Sequence, residues 1–164
     1  CGAVSSEMFE MLKNHKLDFV ITDVVPSEAD QFVIEELKKV NNIFVSKEPL
    51  KIENVKELED LRYILNFYNT ITTKNLFKIL KEHNIEIKPN MQCDTTEIRV
   101  EAVINGLGIA YVMKEAVKKE LENRELYEVE LPIELPDLSI NLVYIKDMLT
   151  QVDKKFIKKY LKNK

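Results

Sequence analysis

Thr95 and Thr96 open a segment whose spacing predicts a helix, and that position carries the clearest chemistry in the sequence. Either hydroxyl can accept a backbone N–H as a helix cap. Glu97 follows in the first turn, where the helix dipole favours an acid. Ile98, Ala102 and Val103 recur at helical spacing and are expected to face inward. Gly106 supplies a left-handed stop, Gly108 allows a second bend, and a buried strand follows to Val112. Capping alone would account for both threonines. A helix start also presents free N–H donors, which suit a small anionic ligand.

Other polar residues stand at the ends of predicted strands. Thr22 and Asp23 close an apolar strand from Leu17, read as a strand of parallel type, where ligands gather in open α/β sheets. An acid there could read a ligand amine, or could simply cap the next turn. Asn66, Asn69 and Thr70 follow a strand beginning at Tyr63. They can donate and accept, which fits a carboxylate, amide or hydroxyl ligand; ordinary turn chemistry explains them equally well. His15 and His83 sit beside Asn at predicted helix ends, where an imidazole complements the dipole. Cys1 and Cys93 have no second Cys or His at metal-ligand spacing, so neither a metal site nor a cofactor is expected. Cys93, just ahead of the capped helix, reads as a small buried thiol or as one of lowered pKa. There is no phosphate loop and no Gly-x-Ser-x-Gly nucleophile turn, so nothing points to an enzyme.

Composition narrows the class. A chain of 164 residues fits one domain or two small lobes, and 45% hydrophobic against 32% charged residues is the balance of a globular protein. A net charge of −4 gives no global pull toward nucleic acid or anionic membrane. No apolar run reaches spanning length and the start is not signal-like, so a reducing cytoplasm fits best. The first residue is Cys1, which suggests a piece of a longer polypeptide.

Strand and helix signals alternate along the chain, which predicts an α/β protein with a largely parallel sheet. Thr72 or Thr73 is expected to cap a helix carrying Leu76, Ile79 and Leu80, and Pro89 marks the following strand as an edge. Thr150-x-x-Asp153 resembles a capping box that opens a last amphipathic helix carrying Val152, Phe156, Ile157, Tyr160 and Leu161, with Phe156 and Tyr160 inward and a lysine-rich face outward. Phe32–Ser46 and Leu126–Ile145 lack a helix between strands and read as crossovers joining two lobes.

The order of these motifs resembles the effector-binding domain of LysR-type transcriptional regulators. The matching segments are Leu12–Asp23, Phe44–Leu50, Asp94–Val112, and the close Leu142–Lys146 with Phe156–Leu161. The resemblance implies a two-lobed fold like that of periplasmic binding proteins. Residues 1–40 and 132–164 would form one lobe, truncated at its N-terminal side, and 41–131 the other. It implies a small-molecule effector, anionic if the helix start binds it, held between the lobes. DNA would be contacted only through a separate N-terminal domain, no membrane is involved, and a homodimer or higher homo-oligomer is expected. It also implies that the effector touches Thr95 or Thr96, that Asn66, Asn69 and Thr70 match the family's polar loop at the cleft edge, and that Tyr111 and Met113 face the cleft. A core role for Tyr111 and Met113 is the competing reading. Two other functions share the fold: a solute-binding protein of a transport system, and an enzyme.

Overall fold

The computed structural model of the chain describes residues 3–68, 70–135 and 137–161. Asn69, Cys1 and the end of the lysine-rich face at Lys162 and Lys164 lie outside the described residues. The first half contains helix α1 (Ala3–Lys13), strands β1 (Phe19–Thr22), β2 (Val33–Val40), β3 (Asn42–Ser46) and β4 (Tyr63–Leu65), and helix α2 (Ile71–Glu82). Then come strand β5 (Pro89–Gln92), helix α3 (Thr96–Ile104), strand β6 (Ile109–Met113) and helix α4 (Lys118–Glu122). Strands β7 (Tyr127–Glu128) and β8 (Leu138–Tyr144) follow, then helix α5 (Gln151–Phe156), which runs on into a π-helical stretch, Ile157–Leu161. The chain divides into two compact units, residues 1–39 with 138–164 and residues 40–137.

The unit spanning 40–137 holds a five-stranded sheet in the order β5-β4-β6-β3-β7. β4 runs parallel to β5 and β6, while β3 runs antiparallel to β6 and β7. The expectation of a largely parallel sheet is therefore corrected to a mixed one. Parallel pairing needs a crossover, and α2 and α3 supply one between β4 and β5 and between β5 and β6. β3 follows β2 after a single residue and meets β6 without such a crossover. Pro89 does lie on an edge strand, as its missing N–H requires.

Strands at the centre of this sheet are apolar on both faces because both faces are covered. Phe44, Tyr63, Leu65, Ile109 and Tyr111 pack on one side with Leu76 and Leu80 of α2 and with Leu58. Ile43, Val45, Ile64, Ala110 and Val112 pack on the other with Val100, Ala102 and Val103 of α3 and with Val117 and Leu126. One-residue alternation along each strand thus builds two cores from one sheet. Ala102 and Val103 are buried as expected, whereas Ile98 is half-exposed and Val100 completes the buried stripe of α3 in its place.

Helix ends follow local chemistry. Thr70, not Thr72 or Thr73, caps α2: its side chain accepts from the Thr73 N–H and donates to the Phe67 carbonyl at 2.9 Å. Thr73 is buried within the first turn. We expect Thr70→Ala to remove about 1 kcal/mol of stability, read as a lower urea midpoint at unchanged slope. α3 ends in a Schellman motif, with Gly106 N–H on Val103 O at 2.8 Å and Leu107 N–H on Ala102 O at 3.0 Å.

The other unit holds a three-stranded sheet in the order β1-β8-β2, with β1 antiparallel to β8. The reading of β1 as a parallel-type strand is corrected accordingly. Phe9 and Leu12 of α1 are buried, and Phe9 meets Phe32 at 5.7 Å between ring centroids. Thr150 and Asp153 do form the capping box of α5. The expectation that Phe156 and Tyr160 face inward on this last helical stretch is corrected. Ile157 is the buried anchor, Phe156 stacks on Phe19, and Val152, Phe156 and Tyr160 stay exposed. Periodicity shows that residues share a face; it does not show how much of that face a three-stranded sheet can cover. Among the described residues no helix is long and apolar enough to cross a membrane.

Candidate functional site

Parallel strands β4 and β5 pair side by side and end together, with Leu65 opposite Gln92. Each leads into a helix, β4 into α2 and β5 into α3. Two helix N-termini therefore converge on the carboxyl edge of adjacent parallel strands, the place where open α/β sheets bind ligands. The loops are tied together: Cys93 N–H donates to Leu65 O at 3.0 Å, and Gln92 Nε2 donates to Asn66 O at 3.4 Å. Asn66 is half-buried, and its Oδ1 accepts the Phe67 N–H at 2.7 Å. The structure thus brings Asn66, Thr70, Thr95 and Thr96 to one edge.

The two helix starts differ. α2 is capped by its own Thr70. At α3 no side chain caps the helix: Thr95 Oγ1 donates to Asp94 Oδ1 at 3.2 Å instead. The expected cap by Thr95 or Thr96 is therefore corrected. The first helical hydrogen bond is Arg99 N–H to Thr95 O at 3.2 Å, and the N–H groups of Thr96, Glu97 and Ile98 have no hydrogen-bond partner among the described residues. The Thr96 hydroxyl is half-buried and accepts from Arg99 Nη2 at 2.9 Å, which leaves its proton free to donate.

Arg99 is the functional candidate that sequence reasoning missed. Its side chain turns back under the first turn of α3 and is 6% exposed. Nη1 donates to the Tyr111 carbonyl at 3.1 Å, and Nε has no partner. Burial pushes the guanidinium below its ordinary pKa, while the nearby Cys93, Asp94 and Glu97 act in the opposite sense; it remains a cation. The available signal was the Thr96–Arg99 spacing, since residues three apart on a helix share a face. Phe67 and Tyr68, exposed aromatics in the loop after β4, were also passed over.

Tyr111 contributes backbone to this place. Its ring is buried against Phe44 at 5.1 Å, and that burial raises its hydroxyl pKa to about 12. Cys93 is half-buried, with Sγ 3.8 Å from Thr95 O. Thr22 and Asp23 belong to the other unit, at the end of β1. Thr22 is buried and accepts the Val24 N–H at 3.1 Å, a local turn. Burial raises the pKa of Asp23. A separate concavity of about 750 Å³ in that unit is lined by Val33, Leu142, Tyr144, Lys154 and Ile157 among others, and includes none of the candidate ligand residues Thr22, Asp23, Asn66, Thr70, Thr95, Thr96 and Tyr111. Among the described residues no group of His, Cys, Asp and Glu could hold a metal ion.

Polar groups gathered where adjacent parallel strands end and two helices begin make an arrangement suited to a small ligand. The model of the LysR substrate binding domain matches residues 3–161, and the chain belongs to that family. It is the effector-binding domain of a LysR-type regulator with a periplasmic-binding-protein-like fold, which sets the transport reading aside. Solved structures agree on the fold. The bromide-bound regulatory domain of HypT from Salmonella typhimurium superposes with a TM-score of 0.77 at 14% identity, covering 93% of this chain and 75% of that one. The Synechocystis PCC6803 CcmR regulatory domain in complex with 2-PG gives 0.76 at 14% identity, covering 93% and 76%. The effector binding domain of QuiR in complex with shikimate gives 0.72 at 19% identity, covering 93% and 74%. No curated protein sequence matches the chain.

Proposed function

We propose that this domain senses a small anionic molecule at the carboxyl edge of β4 and β5, where α3 begins. The observation that carries the reading is the contrast between two adjacent helix starts, one closed by Thr70 and one left open at Thr96–Ile98. Open N–H groups at the positive end of a helix are an anion site. The hydroxyl of Thr96 and the amide of Asn66 add direction. Bromide and shikimate, held by the HypT and QuiR domains, are both anions. The domain performs no catalytic step. Its ligand binds one conformational state of the regulator more tightly than another, and that difference alone shifts DNA binding through a separate N-terminal domain. The regulator works in the cytoplasm as a homo-oligomer.

Titration calorimetry of the regulator against small carboxylates, phosphates and amino acids tests the reading. A saturable signal from one class supports it, and silence across a broad metabolite panel from folded protein counts against it. Thr96→Val is expected to weaken the best ligand about tenfold, the loss of one hydrogen bond to a charged group, or about 1.4 kcal/mol. Thr96→Ser should retain affinity. Equal affinity of the Val and wild-type proteins would remove Thr96 from the site.

A further inference from the structure

We infer that Arg99 sets the charge of the effector, so that the site at α3 selects a ligand carrying net negative charge over its neutral isostere. The inference rests on the reading of that edge as the ligand site and adds the group that discriminates there. A guanidinium is rarely buried without a carboxylate partner. Arg99 is 6% exposed, yet it makes no ion pair among the described residues. Its hydrogen bonds go to a neutral carbonyl and a neutral hydroxyl, and its Nε–H goes to nothing.

The surroundings make this charge more conspicuous. Arg99 lies beneath the positive end of the α3 dipole, so two positive features are stacked. The acids on the same turn are Asp94 and Glu97. Both are exposed and solvated, Asp94 is engaged by the Thr95 hydroxyl, and neither pairs with the guanidinium. Thr96 connects the buried charge to the open edge: Nη2 donates to its oxygen at 2.9 Å, which polarises the hydroxyl as a donor toward a ligand. An anion on Thr96 Oγ1 and the N–H groups of Thr96, Glu97 and Ile98 would sit next to the guanidinium in a half-buried setting, where salt screens the attraction least. A neutral ligand gains the hydrogen bonds without that attraction.

The test compares paired probes at constant ionic strength: benzoate with benzamide, acetate with acetamide, and sodium bromide with inorganic phosphate. Binding is read as the rise in melting temperature of the wild-type chain, Arg99→Met and Arg99→Lys. The expected result is a rise with anions, at least a tenfold weaker response to the matched amides, loss of the anion response in Arg99→Met, and its retention in Arg99→Lys. Removing an unpaired buried charge should also leave the unliganded Arg99→Met chain no less stable than wild type. Equal binding of acid and amide by the wild type would overturn the inference and leave ligand sensing intact, as would an Arg99→Met chain that keeps the anion preference. No binding of any probe would overturn the sensing reading with it. If Arg99→Met fails to fold, the acid–amide ratio of the wild type and the response of Arg99→Lys decide the matter.

Discussion

Replacing Gly108 by alanine is expected to destabilise the 40–137 unit by roughly 2–6 kcal/mol, a large share of the typical net stability of about 5–15 kcal/mol. Two independent effects act at this position. Gly108 has a φ of +152°, which an L side chain rarely adopts, and such strain costs about 1–3 kcal/mol. A Cβ here would also meet the Arg62 carbonyl oxygen, 2.3 Å away, with Arg62 C at 2.9 Å. That oxygen cannot move aside, because it accepts the Ile109 N–H at 2.8 Å, and Arg62 Nε is in turn tied to Leu107 O at 3.2 Å. Overpacking against fixed backbone adds about 1–3 kcal/mol. The parallel pairing of Tyr63 with Ile109 begins at this point, so the clash opens β4 from β6. Chemical denaturation should show a much lower midpoint. Gly106→Ala is the control: it also has positive φ, +77°, but its Cβ meets only Lys47 Cδ, on a flexible side chain, at 4.0 Å. It should lose only about 1–2 kcal/mol.

Phe44→Ala should cost about 3–5 kcal/mol, the usual range for deleting a buried aromatic ring. Phe44 is 1% exposed and contacts Tyr63 and Tyr111, with ring centroids at 5.8 and 5.1 Å. Both partners are themselves buried, and the Tyr63 hydroxyl is committed to the Leu58 carbonyl. Neither ring can therefore swing into the cavity without abandoning other contacts, which places the loss toward the upper end of the range. The change should also reach the ligand edge. Tyr111 carries the carbonyl that holds Arg99 Nη1, so freedom at Tyr111 loosens the guanidinium. A weakened anion response in a Phe44→Ala chain that still unfolds cooperatively would show this coupling. Phe44→Leu, which refills most of the volume, should restore it.

Much of the architecture was legible because it depends on local chemistry. The capping box at Thr150 and Asp153, the left-handed stop at Gly106 and the edge position of Pro89 each follow from what one residue can or cannot do with its own backbone. The helical spacing of Leu76 and Leu80 and the apolar runs of β3 and β6 follow from the periodicities of helix and strand. The order of these motifs was enough to indicate the LysR family, which the match over residues 3–161 bears out.

What was not legible depends on partners distant in sequence. The polar candidates at Asn66, Thr70, Thr95 and Thr96 were readable one by one as turn or cap residues. Their gathering at one edge is a product of β4 pairing with β5, which no local pattern specifies. The inward reading of Ile98, Phe156 and Tyr160 failed because a stripe is buried only as far as another surface reaches it. Antiparallel placement of β1 and β3 was missed because strand direction depends on where the partner strand arrives. Arg99 is the sharpest case. By sequence it is one of the chain's three arginines, and it stands on an ordinary amphipathic helix. Only the packing of α3 against β6 takes its guanidinium out of water and puts it on the Tyr111 carbonyl and the Thr96 hydroxyl. Where helices start and stop, and which residues seek the core, can be read from the chain because those preferences act over a few residues. The tertiary structure alone decided which polar groups meet and which charge is buried, because desolvation is a property of everything packed around a group.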